Sequence, residues 1–269
     1  MKQNVMNEKD LQRIKELRLM DDDFFSEALD GKVEAVEYIL NTILERADIK
    51  VKSTKAQVEY KSATKRSITL DIQAEDADGK LVDIEIQRSD KGAGVKRARY
   101  HSSMIDRTLL SKGEDFEDLV DTYVIFITEN DKYGKGIPLY HVERKITELN
   151  DELFGDGAHI LYVNGEYRDM EHPVGSLMHD FNCKDAKDMV NPLLAEEVRY
   201  LKETEGGQKQ MCRLLEEMRE EAAAEARAEG KASDAIKMLT KGYPVEEIME
   251  ITDLPLEDVQ KLAQGLKQR

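Results

Sequence analysis

The feature that most constrains this chain is a pair of alternating segments joined by a turn signal. In residues 67–75 (SITLDIQAE), Ile68, Leu70 and Ile72 fall on one side and Thr69, Asp71 and Gln73 on the other. In residues 81–88 (LVDIEIQR), Val82, Ile84 and Ile86 fall on one side and Asp83, Glu85 and Gln87 on the other. Alternation at period two predicts strands, and Asp78-Gly79 between them predicts a hairpin. Each strand therefore carries an acid flanked by apolar neighbours, and such an acid is costly to bury without a partner.

The pairing register decides whether the two acids meet. A three-residue loop, Ala77-Asp78-Gly79, pairs Asp76 with Lys80 and places Asp71 opposite Glu85 and Thr69 opposite Gln87. A five-residue loop gives the same register. A two-residue Asp78-Gly79 loop slips it by one and turns Asp71 and Glu85 to opposite faces. The odd-length loop is the expectation, because a type I turn followed by a left-handed glycine is a common three-residue hairpin. Two carboxylates brought together in this way repel. A divalent cation that favours oxygen ligands, Mg2+ or Mn2+, relieves both the repulsion and the burial cost. The bland alternative is a hairpin with one solvated polar face.

Around the hairpin the periodicity predicts helices and further strands. Leu11, Ile14 and Leu17 have helical spacing, and Asp22 and Asp23 are placed to cap a helix starting near Phe24. Residues 33–46 read as a helix with a stripe of Val33, Val36, Ile39, Leu40, Ile43 and Leu44. A strand is expected at 56–61, a helix at 94–111 ended by Gly113, and a strand buried on both faces at 121–128 (DTYVIFIT). Helix is expected over part of 139–154, a strand at 158–163 and a helix at 173–181. Residues 196–229 hold ten acidic and six basic side chains, and read as a long exposed helix or a helical pair broken at Gly206-Gly207. Residues 233–264 read as three short helices, the first capped by Ser233. The expected division is an α/β core over 1–195, an acidic helical linker over 196–230, and a small helical segment with helix-turn-helix spacing over 231–269.

Bulk properties bound the function. The net charge of -16 argues against a protein that coats nucleic acid, because phosphate contacts need Lys and Arg. Any such contact must be local or assisted by a metal ion. Cys183 and Cys212 are isolated and read as free thiols in a reducing compartment. No apolar h-region opens the chain, and no apolar run approaches the roughly 20 residues of a membrane span. A cytoplasmic protein without a membrane partner is expected.

Four segments carry a resemblance. They are MDDDFF at 20–25, LDIQAEDADGKLVDIEIQRSDKGAGVKRARYHSS at 70–103, GEDFEDLVDTYVIFITEND at 113–131 and GKGIPLYHVER at 134–144. Together they resemble the PD-(D/E)xK nucleases, and more closely the branch of recombination-promoting nucleases and PD-(D/E)xK family transposases. The resemblance spans roughly residues 15–200. It implies a restriction-endonuclease-like α/β core, with a mixed sheet flanked by helices and a helical C-terminal extension outside it. It also implies a metal-dependent DNA endonuclease tied to recombination or transposition. Asp71 and Glu85 would bind Mg2+ or Mn2+ with help from the Ile86 carbonyl. Gln87 stands where the founding pattern has Lys. Gln can orient a water or hydrogen-bond a phosphate oxygen, but it brings no positive charge. The fold often adds an acid from the helix before the sheet, for which Glu37 is the candidate and Glu34 the rival.

The helix at 94–111 carries Lys96, Arg97, Arg99, Tyr100 and Arg107. With Lys91 and the Gly92/Gly94 loop it offers a local seat for a DNA backbone, a helix N-terminus already favouring phosphate. A solvated cationic face is the equal alternative. In 255–264 the outward residues Glu257, Asp258, Gln260, Lys261 and Gln264 suit phosphate poorly. The C-terminal helices therefore read better as a cap or as a homo-oligomer contact than as a DNA reader. The histidines, His101 included, are scattered and read as packing or surface residues. The alternatives to an endonuclease are a weak or inactive nuclease fold serving as a DNA- or protein-binding module, and a regulator acting through 231–269.

Overall fold

The computed structural model describes residues 7–60, 68–87 and 92–267. Ser67, Arg88 and Lys91, which the sequence reading assigns to strands and to the phosphate seat, lie outside the described residues. Cα proximity divides the chain into two compact units, one of residues 7–208 and one beginning at Lys209.

The first unit contains α1 (Glu8–Glu16), α2 (Asp22–Leu29), α3 (Val33–Ile43), β1 (Val51–Tyr60), β2 (Ile68–Asp76), β3 (Leu81–Gln87), α4 (Val95–Leu109) and β4 (Thr122–Thr128). It continues with β5 (Leu139–Val142), β6 (Lys145–Ile146), β7 (Glu152–Leu153), β8 (Ala158–Asn164), α5 (Pro173–Asn182) and α6 (Pro192–Glu203). Six strands form one mixed sheet in the order β1-β2-β3-β4-β8-β5. Strands β1, β2 and β3 run antiparallel; β3, β4 and β8 run parallel; β5 returns antiparallel on β8. A parallel pair needs a crossover, and α4 is the crossover from β3 to β4.

Residues of β3 and β4 are buried on both faces, so helices must cover the sheet twice. One layer is α4, whose Ala98, Met104 and Ile105 pack with Leu81, Val124, Phe126 and Tyr162. Helices α2 and α3 pack on β1 to β3, backed by α5 and α6.

The hairpin between β2 and β3 has the expected three-residue loop. The Asp76 and Lys80 backbones pair, Gly79 adopts φ +82, and Asp76 Oδ1 accepts the N–H groups of Asp78 and Lys80 at 2.9 Å. The ladder runs Glu75–Leu81, Ala74–Val82, Gln73–Asp83 and Ile72–Ile84, the register that brings Asp71 to Glu85.

Several expectations need correction. The alternation of β2 does not hold along its whole length. Ile68 and Leu70 pack in the same cluster as α4, together with Val58 and Tyr60 of β1. That is the side to which Asp83 and Glu85 are bonded, and the break falls where Gln57 of β1 takes φ +50. Strand β1 is longer than 56–61 because it is a polar edge strand (VKSTKAQVEY) with little apolar signal to read. Residues 139–154 form no α-helix. They make β5, a two-stranded β6–β7 hairpin and one 3-10 turn, reversed at Asn150 and Asp151 with φ 57 and 62. The N-cap of α2 is Asp21, whose side chain accepts from the Arg18 N–H instead, while Asp22 and Asp23 occupy the first turn.

The break within the acidic segment falls at Thr204, not at the glycines. A Cβ on Gly207 would stand 2.1 Å from the Tyr200 carbonyl oxygen, so the glycine serves close packing rather than helix breaking. Lys202 closes this unit over a long sequence separation. Its buried Nζ donates to the Lys15 carbonyl at 3.0 Å and to the carbonyls of Leu17 and Lys184, and burial pushes its pKa down to about 8.

The second unit holds most of α7 (Glu205–Thr240), α8 (Val245–Thr252) and α9 (Leu256–Lys267). Ser233 lies inside α7 and starts no helix. Ala235, Ile248 and Val259 form a small core lined by Leu239, Val245, Leu254 and Leu262.

Candidate active site

Asp71 and Glu85 stand where β2 and β3 part. Beyond the Ile72–Ile84 pair, side chains replace the backbone ladder. The Asp71 N–H donates to Glu85 Oε1 at 3.1 Å, and the Ile86 N–H donates to Asp71 Oδ2 at 3.0 Å. Each carboxylate thus satisfies the backbone that the other strand has left, and this holds both acids in one place.

The surroundings are dry. Glu85 is 1% exposed and Asp83 0%. Burial first, and then the charge of Glu85, push the Asp71 carboxyl up to about 8. Burial, and then Asp83, push Glu85 up to about 8 as well. Burial and the Asp71 charge hold Asp83 well above the usual carboxylate range. Ionised together, three acids in one buried site would carry more negative charge than the single Arg97 ion pair beside them offsets. That donor set, carboxylate oxygens from two strands held together by the backbone, fits a hard divalent cation.

Helix α4 supplies the cationic side of the site. Arg97 Nη2 donates to Glu85 Oε2 at 2.7 Å and Nη1 to Gln87 Oε1 at 2.8 Å. Arg97 Nε donates to His101 Nε2 at 3.2 Å, and His101 Nδ1 lies 3.0 Å from Asp83 Oδ2. Gly92 makes room for Gln87: a Cβ there would fall 1.9 Å from the Gln87 amide carbon.

Helix α2 touches the site through Ser26, which donates to the Asp71 carbonyl at 3.4 Å, while Asp22 in its first turn is exposed. Arg18 anchors this segment through Glu129 at 2.8 Å, whose own N–H is bonded to the Gln87 carbonyl.

A model of the PD-(D/E)XK nuclease family transposases matches residues 23–168, more than half of the chain. The chain belongs to this family. The mixed sheet flanked by helices is the restriction-endonuclease-like fold of the PD-(D/E)XK group. Comparison with curated proteins and with solved structures returned no match.

Asp71 and Glu85 come together as the hairpin register requires, and Gln87 is joined to Glu85 through Arg97. Glu37 does not join them. It is tied to Lys50 Nζ at 2.7 Å and to the Val51 N–H at 3.0 Å, and Lys50 holds its carboxyl below the usual range. Glu34 and Glu37 line a separate open groove of about 890 Å³ with Tyr38, Asn41 and Glu45. The MDDDFF segment, read as capping, puts Asp22 and Asp23 in the first turn of α2. Of the four expected DNA contacts, Lys96 and Arg99 face solvent, Tyr100 packs against the core cluster, and Arg97 turns into the site. His101, read as a scattered packing residue, belongs to the buried network. No helix among the described residues is long and apolar enough to cross a membrane.

Asp83, Glu85 and His101 bring their ligand atoms within 4.8 Å of one another, and so do His179, Asp180 and Cys183, a group that has a structural explanation. Asp180 accepts the N–H groups of Val190 and Asn191 at 2.7 and 2.8 Å, and burial pushes the Cys183 thiol up to about 11.

Proposed function

We propose that this chain is a divalent-metal-dependent endodeoxyribonuclease that hydrolyses phosphodiester bonds during recombination or transposition. The observation that carries the reading is the meeting of Asp71 and Glu85 at the parted ends of β2 and β3, with Gln87 alongside.

Asp71 and Glu85 are the residues to hold Mg2+ or Mn2+, with the Ile86 carbonyl as a further oxygen and Asp22 as the outer acid. The bound ion supplies a water of lowered pKa and offsets charge on the phosphate. The protein's own groups do the positioning. Gln87, its Oε1 held by Arg97, is left with its amide N–H groups to donate to a water or to a phosphate oxygen. The buried walls exclude bulk water, so each charge at the site acts through a low dielectric. Attack of water at phosphorus forms the new P–O bond as the bridging ester oxygen leaves with its electron pair and takes a proton. Lys96 and Arg99 on the exposed side of α4 are the candidates for seating the DNA backbone. This is a local basic surface on an acidic protein. A cytoplasmic setting is part of the proposal, with Cys183 and Cys212 as free thiols in a reducing compartment.

The test is nicking of supercoiled DNA in Mn2+ and in EDTA, by the wild type and by Asp71→Ala. Mn2+-dependent nicking that Asp71→Ala abolishes supports the reading. Nicking that survives Asp71→Ala, or wild-type protein that fails to nick, rejects it.

A further inference from the structure

We infer that Arg97 is the active-site cation of this protein, supplying from α4 the positive charge that Gln87 leaves out of the third motif position; the inference rests on the nuclease reading above. A nuclease of this pattern needs a cation near the scissile phosphate, beside the second acid of the motif. Gln87 cannot provide it. The Arg97 guanidinium bridges Glu85 Oε2 and Gln87 Oε1 at 2.7 and 2.8 Å, so it stands between the second and third motif positions.

The way Arg97 is held separates this role from that of a surface phosphate contact. Its guanidinium makes four hydrogen bonds, to Glu85, Gln87, the Gly92 carbonyl and His101 Nε2. His101 can accept at Nε2 because its Nδ1 proton is engaged by Asp83, so two buried side chains fix the direction of Arg97 from behind. Phe126 lies under the guanidinium at 5.8 Å. Lys96 and Arg99 have solvent-facing places on the same helix. The Arg97 side chain is nonetheless 40% exposed, against 1% for Glu85. The guanidinium therefore has a dry inner edge on the carboxylate and an open outer edge toward incoming substrate. One of its five N–H donors, on Nη2, has no acceptor among the described residues, and this is the donor assigned to a phosphate oxygen.

The inference also assigns Gln87 a part. Its amide oxygen is an arm that steadies the guanidinium, which a Lys at position 87 would repel. Lys at 87 and Arg97 are thus alternative solutions to one electrostatic requirement.

The experiment is single-turnover nicking in Mn2+, with Mn2+ affinity measured by calorimetry and folding checked by melting. The proteins are the full-length wild type, Arg97→Ala, Arg97→Lys, and Arg97→Ala combined with Gln87→Lys. The expected result is a loss of about 100-fold in rate for Arg97→Ala, with Mn2+ binding retained or tightened because a competing cation has left Glu85. Arg97→Lys keeps the charge without the two-pronged grip and falls between. Gln87→Lys in the Arg97→Ala background restores the rate by at least about tenfold. An Arg97→Ala protein that cuts at the wild-type rate overturns the inference. So does one that loses Mn2+ binding together with cutting, since Arg97 then only arranges the carboxylates. Absence of rescue by Gln87→Lys overturns it too. Wild-type protein that neither binds Mn2+ nor nicks overturns the nuclease reading and this inference with it.

Discussion

His101 Nδ1 lies 3.0 Å from Asp83 Oδ2, and neither side chain is more than 3% exposed. Removing either partner leaves the other buried without that hydrogen bond, and an unsatisfied buried polar group costs about 1–3 kcal/mol. His101→Ala is expected to lower the urea midpoint accordingly, followed by far-ultraviolet circular dichroism. An unchanged midpoint would show that the pair contributes nothing to the fold.

At the proposed metal site, the carboxyl pair would make binding pH-dependent. Asp71 and Glu85 rise from ordinary values of 3.8 and 4.5 to about 8 on folding. Between those limits the folded chain binds more protons than the unfolded one, so stability falls as pH rises. The contribution is complete below about pH 4 and gone once pH has passed about 8. A cation binds the ionised forms and opposes that fall. The rise in melting temperature produced by Mn2+ is therefore expected to be larger at about pH 8 than at about pH 6. A rise that shrinks across this range contradicts the assignment of the ion to these two acids.

Asp22 and Glu37 can be told apart directly. Loss of an acid that supports a metal site costs about 10- to 100-fold in metal affinity. Asp22→Asn is expected to weaken Mn2+ binding by such a factor in a calorimetric titration, while Glu37→Gln leaves it alone. The opposite pattern would return the third acid to α3.

Gly92 is expected to tolerate no side chain without moving Gln87. Its backbone is unstrained by Ala, so the cost falls on the site and not on the fold. Misplacing a positioning group by about 1 Å can cost up to about 100-fold. Gly92→Ala should slow nicking by about tenfold or more with little change in melting temperature. Full activity in that variant would mean that the Gln87 amide has no fixed place in the reaction.

The sequence disclosed the hairpin register because parity is unforgiving: Asp76 and Lys80 either pair across three residues or the acids part. Parity brought Asp71 to Glu85, and the resemblance singled out both together with Gln87. The sequence did not disclose which cation turns inward. Lys96, Arg97 and Arg99 are neighbours of one chemical type, and only the phase of α4 against β3 selects Arg97. The stretch ITELNDEL has helical periodicity, yet Asn150 and Asp151 adopt left-handed backbone and reverse the chain. Gly206 and Gly207 look like breakers, but tight packing against Tyr200 and Leu201 explains Gly207.

The ammonium of Lys202 gathers three carbonyls from opposite ends of the first unit, and so sets the smallest piece of this protein that can be studied by itself. The family match ends at residue 168 and begins one residue after Asp22. A fragment trimmed to that match would lose the outer acid, the Arg18 anchor and the clasp that orders residues 15–17. Such a fragment would understate the metal affinity of the intact protein. Truncation studies should therefore keep the chain from α1 through α6.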